Sequence, residues 1–347
     1  MNLDYFDALV IARTKLADAL DDPAAKGIKE SVVDKYKEQA HFVYELLQNA
    51  DDAKAKHARF KLYHDRLIFA HDGARHFSIS DPATEDEDTE KGILSDVNSI
   101  LSIGNSAKIG QNKIGKFGVG FKSVFQYTST PYIYDPQIRF KIERFFVPCL
   151  LEEDHKERRT EETLFDIPFN QEMDTVDSAF EDISNRLSSL INPILFLTNL
   201  ENIYFEYDDT KGEYRKKVDA KYSFDKTTAE LIVLTKKQGE HCEERKLYLF
   251  SRNDEGNGRY AVGFFLDEDG DIIPVEEYAY CFFPTRENTG LKFIIHAPFL
   301  LTDSRESIKE GNKHNQKMIS LLADLAADSL VYLRDIGIKE CVYFALY

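Results

Sequence analysis

Glu45-Leu46-Leu47-Gln48-Asn49-Ala50-Asp51-Asp52-Ala53 is the stretch from which the fold of this chain is read. On a helix turning about 100° per residue, Glu45, Asn49 and Asp52 fall within about 60° of one another. Phe42, Leu46, Ala50 and Ala53 form an adjoining apolar stripe that can face a sheet. The polar trio then lies at the rim of the buried face, where a ligand can reach it. By itself the trio reads equally well as the solvated edge of an amphipathic helix. A second segment, Ile114-Gly115-Lys116-Phe117-Gly118-Val119-Gly120-Phe121-Lys122-Ser123-Val124-Phe125, gives it a context. Its Gly-x-x-Gly-x-Gly spacing allows positive φ and close approach of backbone to an anion. A helix starting near Gly120 would aim free N–H groups and a positive dipole end at phosphates. The loop is not a Walker A loop, since no Gly-Lys-Ser/Thr ends it, nor a Rossmann turn. A base, a metal ligand and a phosphate cradle are the parts that an ATP-hydrolysing site needs.

Outward from these segments the pattern is mixed α and β. Residues 3–20 and 31–55 carry helical periodicity. A hairpin follows, with Phe60–Tyr63 and Leu67–Ala70 around a turn at Asp65-Arg66, ending in His71-Asp72-Gly73. Residues 84–91 are acidic and read as a solvated, disordered loop. Residues 103–114 are rich in Gly, Asn, Ser and Lys and suit a mobile segment. Thr163–Phe169 reads as a strand, and residues 176–200 as a helix up to Pro193 followed by an apolar stretch. Beyond about residue 201 come short strands at Ile203–Tyr207, Lys246–Phe250, Tyr260–Leu266 and Leu291–His296, then one long helix at about 313–335. The domain boundary is placed at 205, giving domains 1–205 and 206–347.

The 347 residues are enough for two domains, and 43% hydrophobic with 30% charged residues is the balance of a soluble globular chain. No apolar run spans a bilayer, and the N-terminus carries no secretory pattern. Cys149, Cys242, Cys281 and Cys341 share no metal-ligand spacing, so free thiols in a reducing cytoplasm are expected. A net charge of −17 argues against a general nucleic-acid surface. His41, His57, His64 and His76 have no zinc-site spacing, and no Gly-x-Ser-x-Gly elbow supports a serine triad. The end at Tyr347, after the apolar Cys341–Leu346, reads as a cut through a longer protein.

In order and spacing the segments resemble the GHKL, or Bergerat-fold, ATPase superfamily, and within it the ninety-kilodalton heat-shock chaperones and their sacsin-type relatives. Tyr44–Ala53 is similar to the family's first motif and Ile114–Phe125 to its phosphate-binding motif. Thr163-Leu164-Phe165 resembles a motif beside the adenine pocket. Thr302-Asp303-Ser304-Arg305-Glu306-Ser307-Ile308 resembles a segment of the chaperones' middle domain.

The resemblance implies an α+β architecture: a Bergerat-type α/β sandwich ATPase domain followed by a smaller, transducer-like α/β middle domain. It implies ATP and Mg²⁺ as ligands. Glu45 would be the general base, Asn49 the Mg²⁺ ligand and Asp52 a support of the pocket. Gly115, Phe117, Gly118, Val119 and Gly120 would donate backbone N–H groups to phosphates. Lys108, in the position of the ATP lid, or Lys113 would reach a phosphate, and Arg305 would sense the γ-phosphate on domain closure. The family writes its adenine motif Asp-x-Gly, whereas this chain has His71-Asp72-Gly73. Asp72 is taken as the adenine partner beside Gly73 and Thr163, with His71 in the strict aspartate position as the alternative. The function implied is slow ATP hydrolysis driving lid closure and pairing of ATP-bound protomers, with output through a protein client or a further C-terminal effector. Chaperone-like and bacterial-defence roles both fit. A non-hydrolytic nucleotide-binding scaffold is the other reading, and neither a nucleic acid nor a membrane is expected as partner.

Overall fold

The computed structural model describes residues 2–22, 42–102, 120–171, 176–256, 258–302 and 307–338. The chain divides into two compact units. One comprises residues up to Leu190 together with Thr198–Gly212, and the other Ile191–Leu197 with the chain from Glu213 onward.

In the first unit the sheet order is β7-β1-β2-β6-β3-β4-β5. Its strands are β1 (His57–Tyr63), β2 (Arg66–His71), β3 (Tyr132–Tyr134), β4 (Arg139–Glu143), β5 (Val147–Leu150), β6 (Thr163–Pro168) and β7 (Asn202–Tyr207). The β1–β7 pair is parallel and the others are antiparallel, so the sheet is mixed. Strict alternation sets the two faces. Phe60, Phe69 and Phe165 lie in one cross-strand row with Ile133, all buried. Helical elements cover that face: Phe6 of α1 (Leu3–Leu20) meets Phe140, and Phe121 meets Phe165 at 5.5 Å between ring centroids. Phe42 of α2 (Phe42–Asp52) packs 4.9 Å from Tyr127. Phe180 of α5 (Val176–Ser189) stacks on His64.

Residues 84–91 are not the disordered loop that their acidity suggests. After a short 3₁₀ turn at Pro82–Thr84, Glu85–Lys91 form helix α3. Four acidic residues in its first turn complement the positive end of the helix dipole. Glu85 is held by both nitrogen–oxygen contacts of Arg13, at 2.7 and 2.9 Å, and by Asn98. Gly92 closes the helix in the left-handed region, and α4 (Asp96–Leu101) follows.

In the second unit the order is β13-β12-β14-β11-β10-β9-β8. The long strands are β8 (Thr210–Phe224), β9 (Thr227–Gln238), β10 (His241–Asp254) and β11 (Gly258–Leu266). Shorter ones are β12 (Tyr278–Cys281), β13 (Phe283–Asn288) and β14 (Ile294–His296). Helix α6 (Lys313–Asp335) lays Met318, Leu322, Leu325 and Leu333 into a core with Phe250, Val262 and Phe264. Strand β8 escaped the sequence reading because it is charged at nearly every second position and mostly exposed. Among the described residues, no helix is long and apolar enough to cross a membrane.

Candidate functional site

The site is built around α2, whose apolar stripe (Phe42, Leu46, Ala50) is fully buried. Its far end is pinned by Asp51. That carboxylate accepts from the backbone N–H groups of Thr198 (3.0 Å), Asn199 (2.6 Å) and Leu200 (2.9 Å), and the Asn199 amide returns a bond to the Asp51 carbonyl. The sequence reading gave Asp51 no role, because an acidic residue beside Asp52 looks like a second surface charge. With α2 fixed, Glu45, Asn49 and Asp52 keep one edge.

Glu45 is half-buried and lies against the end of the glycine segment. A Cβ built on Gly120 would stand 1.6 Å from Glu45 Oε2 and 2.4 Å from its Cδ. Gly120 has φ −69°, so what a side chain would meet there is the neighbouring carboxylate and not a left-handed backbone. The segment that follows is a six-residue 3₁₀ helix, Phe121–Gln126, in place of the expected α-helix, so its dipole is short. Within it Lys122 is buried, with Nζ 4.8 Å from the centre of the Phe145 ring. Burial, helped by Arg13, brings its ammonium down to about 7. The sequence reading missed this lysine.

Asn49 is 4% exposed, and its buried Nδ2 has no hydrogen-bond partner among the described residues. Asp52, the last residue of α2, is exposed. Desolvation and the neighbouring Asp51 lift its carboxyl to about 6, against the lowering effect of Arg75.

At the same end of α2 the turn after β2 is stitched down. The Arg75 N–H donates to the Ala53 carbonyl at 3.1 Å. A Cβ on Gly73 would meet Ala53 Cβ at 2.7 Å and the Ala53 carbonyl oxygen at 2.8 Å, so only glycine fits. The choice between His71 and Asp72 is one of register. His71 pairs with Ala58 and Thr163 and shares their helix-covered face. Asp72 does not join them: its carboxylate accepts from the Lys56 and His57 N–H groups, both at 2.8 Å, and lies 2.7 Å from His57 Nδ1. A one-residue step along a strand changes the face, which the sequence reading of Asp72 did not allow for. Thr163 is buried and donates to Asp135 Oδ2 at 2.6 Å.

The structure therefore brings Glu45, Asn49, Asp52, Gly73 and Gly120 to one helix, with His71 and Thr163 on the same side of the sheet. Lys108, Lys113, Gly115, Phe117, Gly118, Val119 and Arg305 lie outside the described residues. Among the described residues, no three His, Cys, Asp or Glu side chains are grouped to hold a metal ion.

Comparison with known proteins adds one finding at this point. Residues 23–142 match the family described as the Sacsin domain. This segment is sacsin-like. Over 131 residues the chain is 30% identical to Sacsin of Homo sapiens, which covers 32% of this chain and 3% of that protein. It is 28% identical over 327 residues to Protein NO VEIN of Arabidopsis thaliana, covering 85% of this chain and 11% of that protein. The chain thus spans only a small part of both relatives. The sacsin-like segment holds Glu45, Asn49, Asp52, His71, Gly73 and Gly120, whereas Thr163 follows it.

Proposed function

We propose that the chain is a Mg²⁺-dependent ATP-binding and slowly hydrolysing module of the GHKL type. The observation that carries this reading is the packing of the Glu45 carboxylate against Gly120, the last glycine of the phosphate-type segment. A carboxylate held at the end of such a turn is placed to orient and deprotonate a water beside a terminal phosphate. A Mg²⁺ ion needs few protein ligands, because it keeps several waters and takes oxygens from the phosphates. The unpartnered Nδ2 of Asn49 fits that need, since a side-chain amide presents either its oxygen to the ion or its N–H to a phosphate. When bound, the ion supplies neutralisation of charge on the phosphates.

Backbone N–H groups of Gly115, Phe117, Gly118 and Val119 are assigned to the phosphates, Lys108 to the closing segment and Arg305 to the γ-phosphate, all by motif. Asp52 and Gly73 form the far wall. In this reading nucleotide binding shifts the closing segment and the pairing of protomers, and the rest of a larger protein or a client takes up the change. Chaperone-like and defence roles remain equal within it.

Calorimetry with Mg²⁺ and a non-hydrolysable ATP analogue, beside phosphate release from ATP, tests the proposal. Binding in both wild type and Glu45→Ala is expected, with hydrolysis lost in the variant. Wild-type protein that binds no adenine nucleotide overturns the proposal. Binding with equal phosphate release in both proteins leaves a scaffold and removes the base role of Glu45.

A further inference from the structure

A cleft of about 860 Å³ opens on the other face of the first unit's sheet, away from the helices. Alternation puts Arg59 and Lys61 of β1 on that face, since Phe60 between them belongs to the helix-covered row. Register adds Tyr204 and Glu206 of β7, the partners of Arg59 and Lys61. One wall is the loop between β5 and β6, with Arg159 and Glu162, and the other is Lys211 at the start of β8. All of these residues belong to the first unit. The volume lies in the upper part of the usual range for ligand sites.

The acids of this cleft are turned inward and its cations outward. Glu162 takes two bonds from the Arg59 guanidinium, at 2.8 and 3.2 Å, and a third from the Arg159 N–H at 3.1 Å. Glu157 accepts from Lys61 at 2.9 Å and from the Tyr63 hydroxyl at 2.7 Å. These bonds fasten the loop to the sheet and engage Arg59 and Lys61 in the floor. Arg159 and Lys211 are second partners of acids already engaged. Arg159 lies 3.8 Å from Glu162 and Lys211 3.6 Å from Glu206, which Lys61 also approaches at 3.5 Å. Their side chains are 74% and 78% exposed, against 10% for Glu162. In a chain of net charge −17, the cleft thus meets solvent with a cation on each rim and the exposed Tyr204 in its floor.

We infer that this cleft takes an acidic peptide segment of a partner protein. Its carboxylates would meet Arg159 and Lys211, and an apolar side chain would rest on Tyr204. A guanidinium pairs with carboxylates in a fork, and a tyrosine offers a rigid amphipathic surface beside it. A nucleic acid fits less well, because its unbroken phosphate backbone would run past Glu157 and Glu206. The helix α2 and Glu45 are on the opposite side of the sheet, so peptide binding stands whether or not the chain takes a nucleotide.

Fluorescence anisotropy with a labelled hexapeptide of five glutamates and one phenylalanine tests the inference. Wild type is expected to bind it, with affinity falling as salt is raised. The double variant Arg159→Glu with Lys211→Glu should bind roughly tenfold or more weakly, since each reversal removes an attraction and adds a repulsion. Both side chains are exposed, so its melting temperature should stay near that of wild type. Lys91→Glu, an equal change of charge on α3, should bind as wild type does. A second measurement needs wild type alone: a hexapeptide with glutamine for every glutamate should bind roughly tenfold or more weakly. Wild type that does not bind the acidic peptide, or binds the glutamine peptide as well, overturns the inference. So does a double variant with wild-type affinity, or a preference of wild type for a single-stranded oligonucleotide of equal charge.

Discussion

Gly120 and Glu45 exclude one another's growth: a Cβ on Gly120 would sit 1.6 Å from Glu45 Oε2 and 3.0 Å from Glu45 Cγ. The carboxylate is the mobile end of a side chain, so Gly120→Ala can be accommodated by turning Glu45 aside. The fold should survive while the base is displaced. Phosphate release is expected to fall at least roughly tenfold, within the range that general bases supply. Nucleotide affinity and melting temperature should change little. A variant with wild-type turnover would show that the position of Glu45 does not matter to hydrolysis.

Gly73→Ala meets a different neighbour. Its Cβ collides with the Ala53 carbonyl oxygen, which is backbone that cannot swing away. The turn and the end of α2 must separate, at about 1–3 kcal/mol as for other overpacked sites. Urea unfolding of this variant beside Gly120→Ala checks the contrast, with the larger loss of stability expected at position 73.

The two glycines also mark how far the sequence could be read. The order and type of elements around α2 follow from apolar periodicity, and long helices such as Lys313–Asp335 carry it over many turns. Residues 84–91 misled because a run of acids looks solvated, when a distant arginine, Arg13, anchors its first member. Asp51 and Asp135 were illegible for the same reason: their partners are backbone N–H groups of Thr198–Leu200 and the Thr163 hydroxyl, far away in the chain. His71 and Asp72 could not be told apart, since the face each occupies depends on the register of β2 with β6. Glu45, Asn49 and Asp52 were legible because one helix sets their spacing.

Asp51→Ala should be among the more damaging substitutions in the first unit. It leaves three backbone N–H groups without their acceptor, at roughly 1–3 kcal/mol for each that water does not reach. Asp72→Ala removes two such bonds at a more exposed place, at about 1–2 kcal/mol in total. Because its carboxylate serves the start of β1, nucleotide affinity should stay within about twofold of wild type. Thermal melts and calorimetry on the two variants check both statements. A large affinity loss in Asp72→Ala with the fold intact would return Asp72 to the site.

Buried His71 gives the chain a pH dependence whose sign can be worked out. Burial, the largest influence, holds its imidazole down to about 4, against an ordinary value near 6.5 in the unfolded chain. Between these values the unfolded chain binds a proton that the native ring refuses, so stability falls as pH falls. The contribution of His71 is fully present above about pH 7, is lost through the window down to about pH 4, and levels off below it. For a fully buried group this loss amounts to roughly 3 kcal/mol at most. Asp52, lifted to about 6, acts oppositely, because its native carboxyl holds a proton that the unfolded one releases. Wild type should therefore be compared with His71→Asn at each pH, so that the Asp52 effect cancels. Urea unfolding between about pH 7 and pH 4.5 should show wild type losing stability faster than the variant. His296, held down to about 3 by burial, should behave in the same way when replaced by asparagine. Parallel pH profiles for wild type and His71→Asn would mean that the imidazole takes up its proton inside the fold.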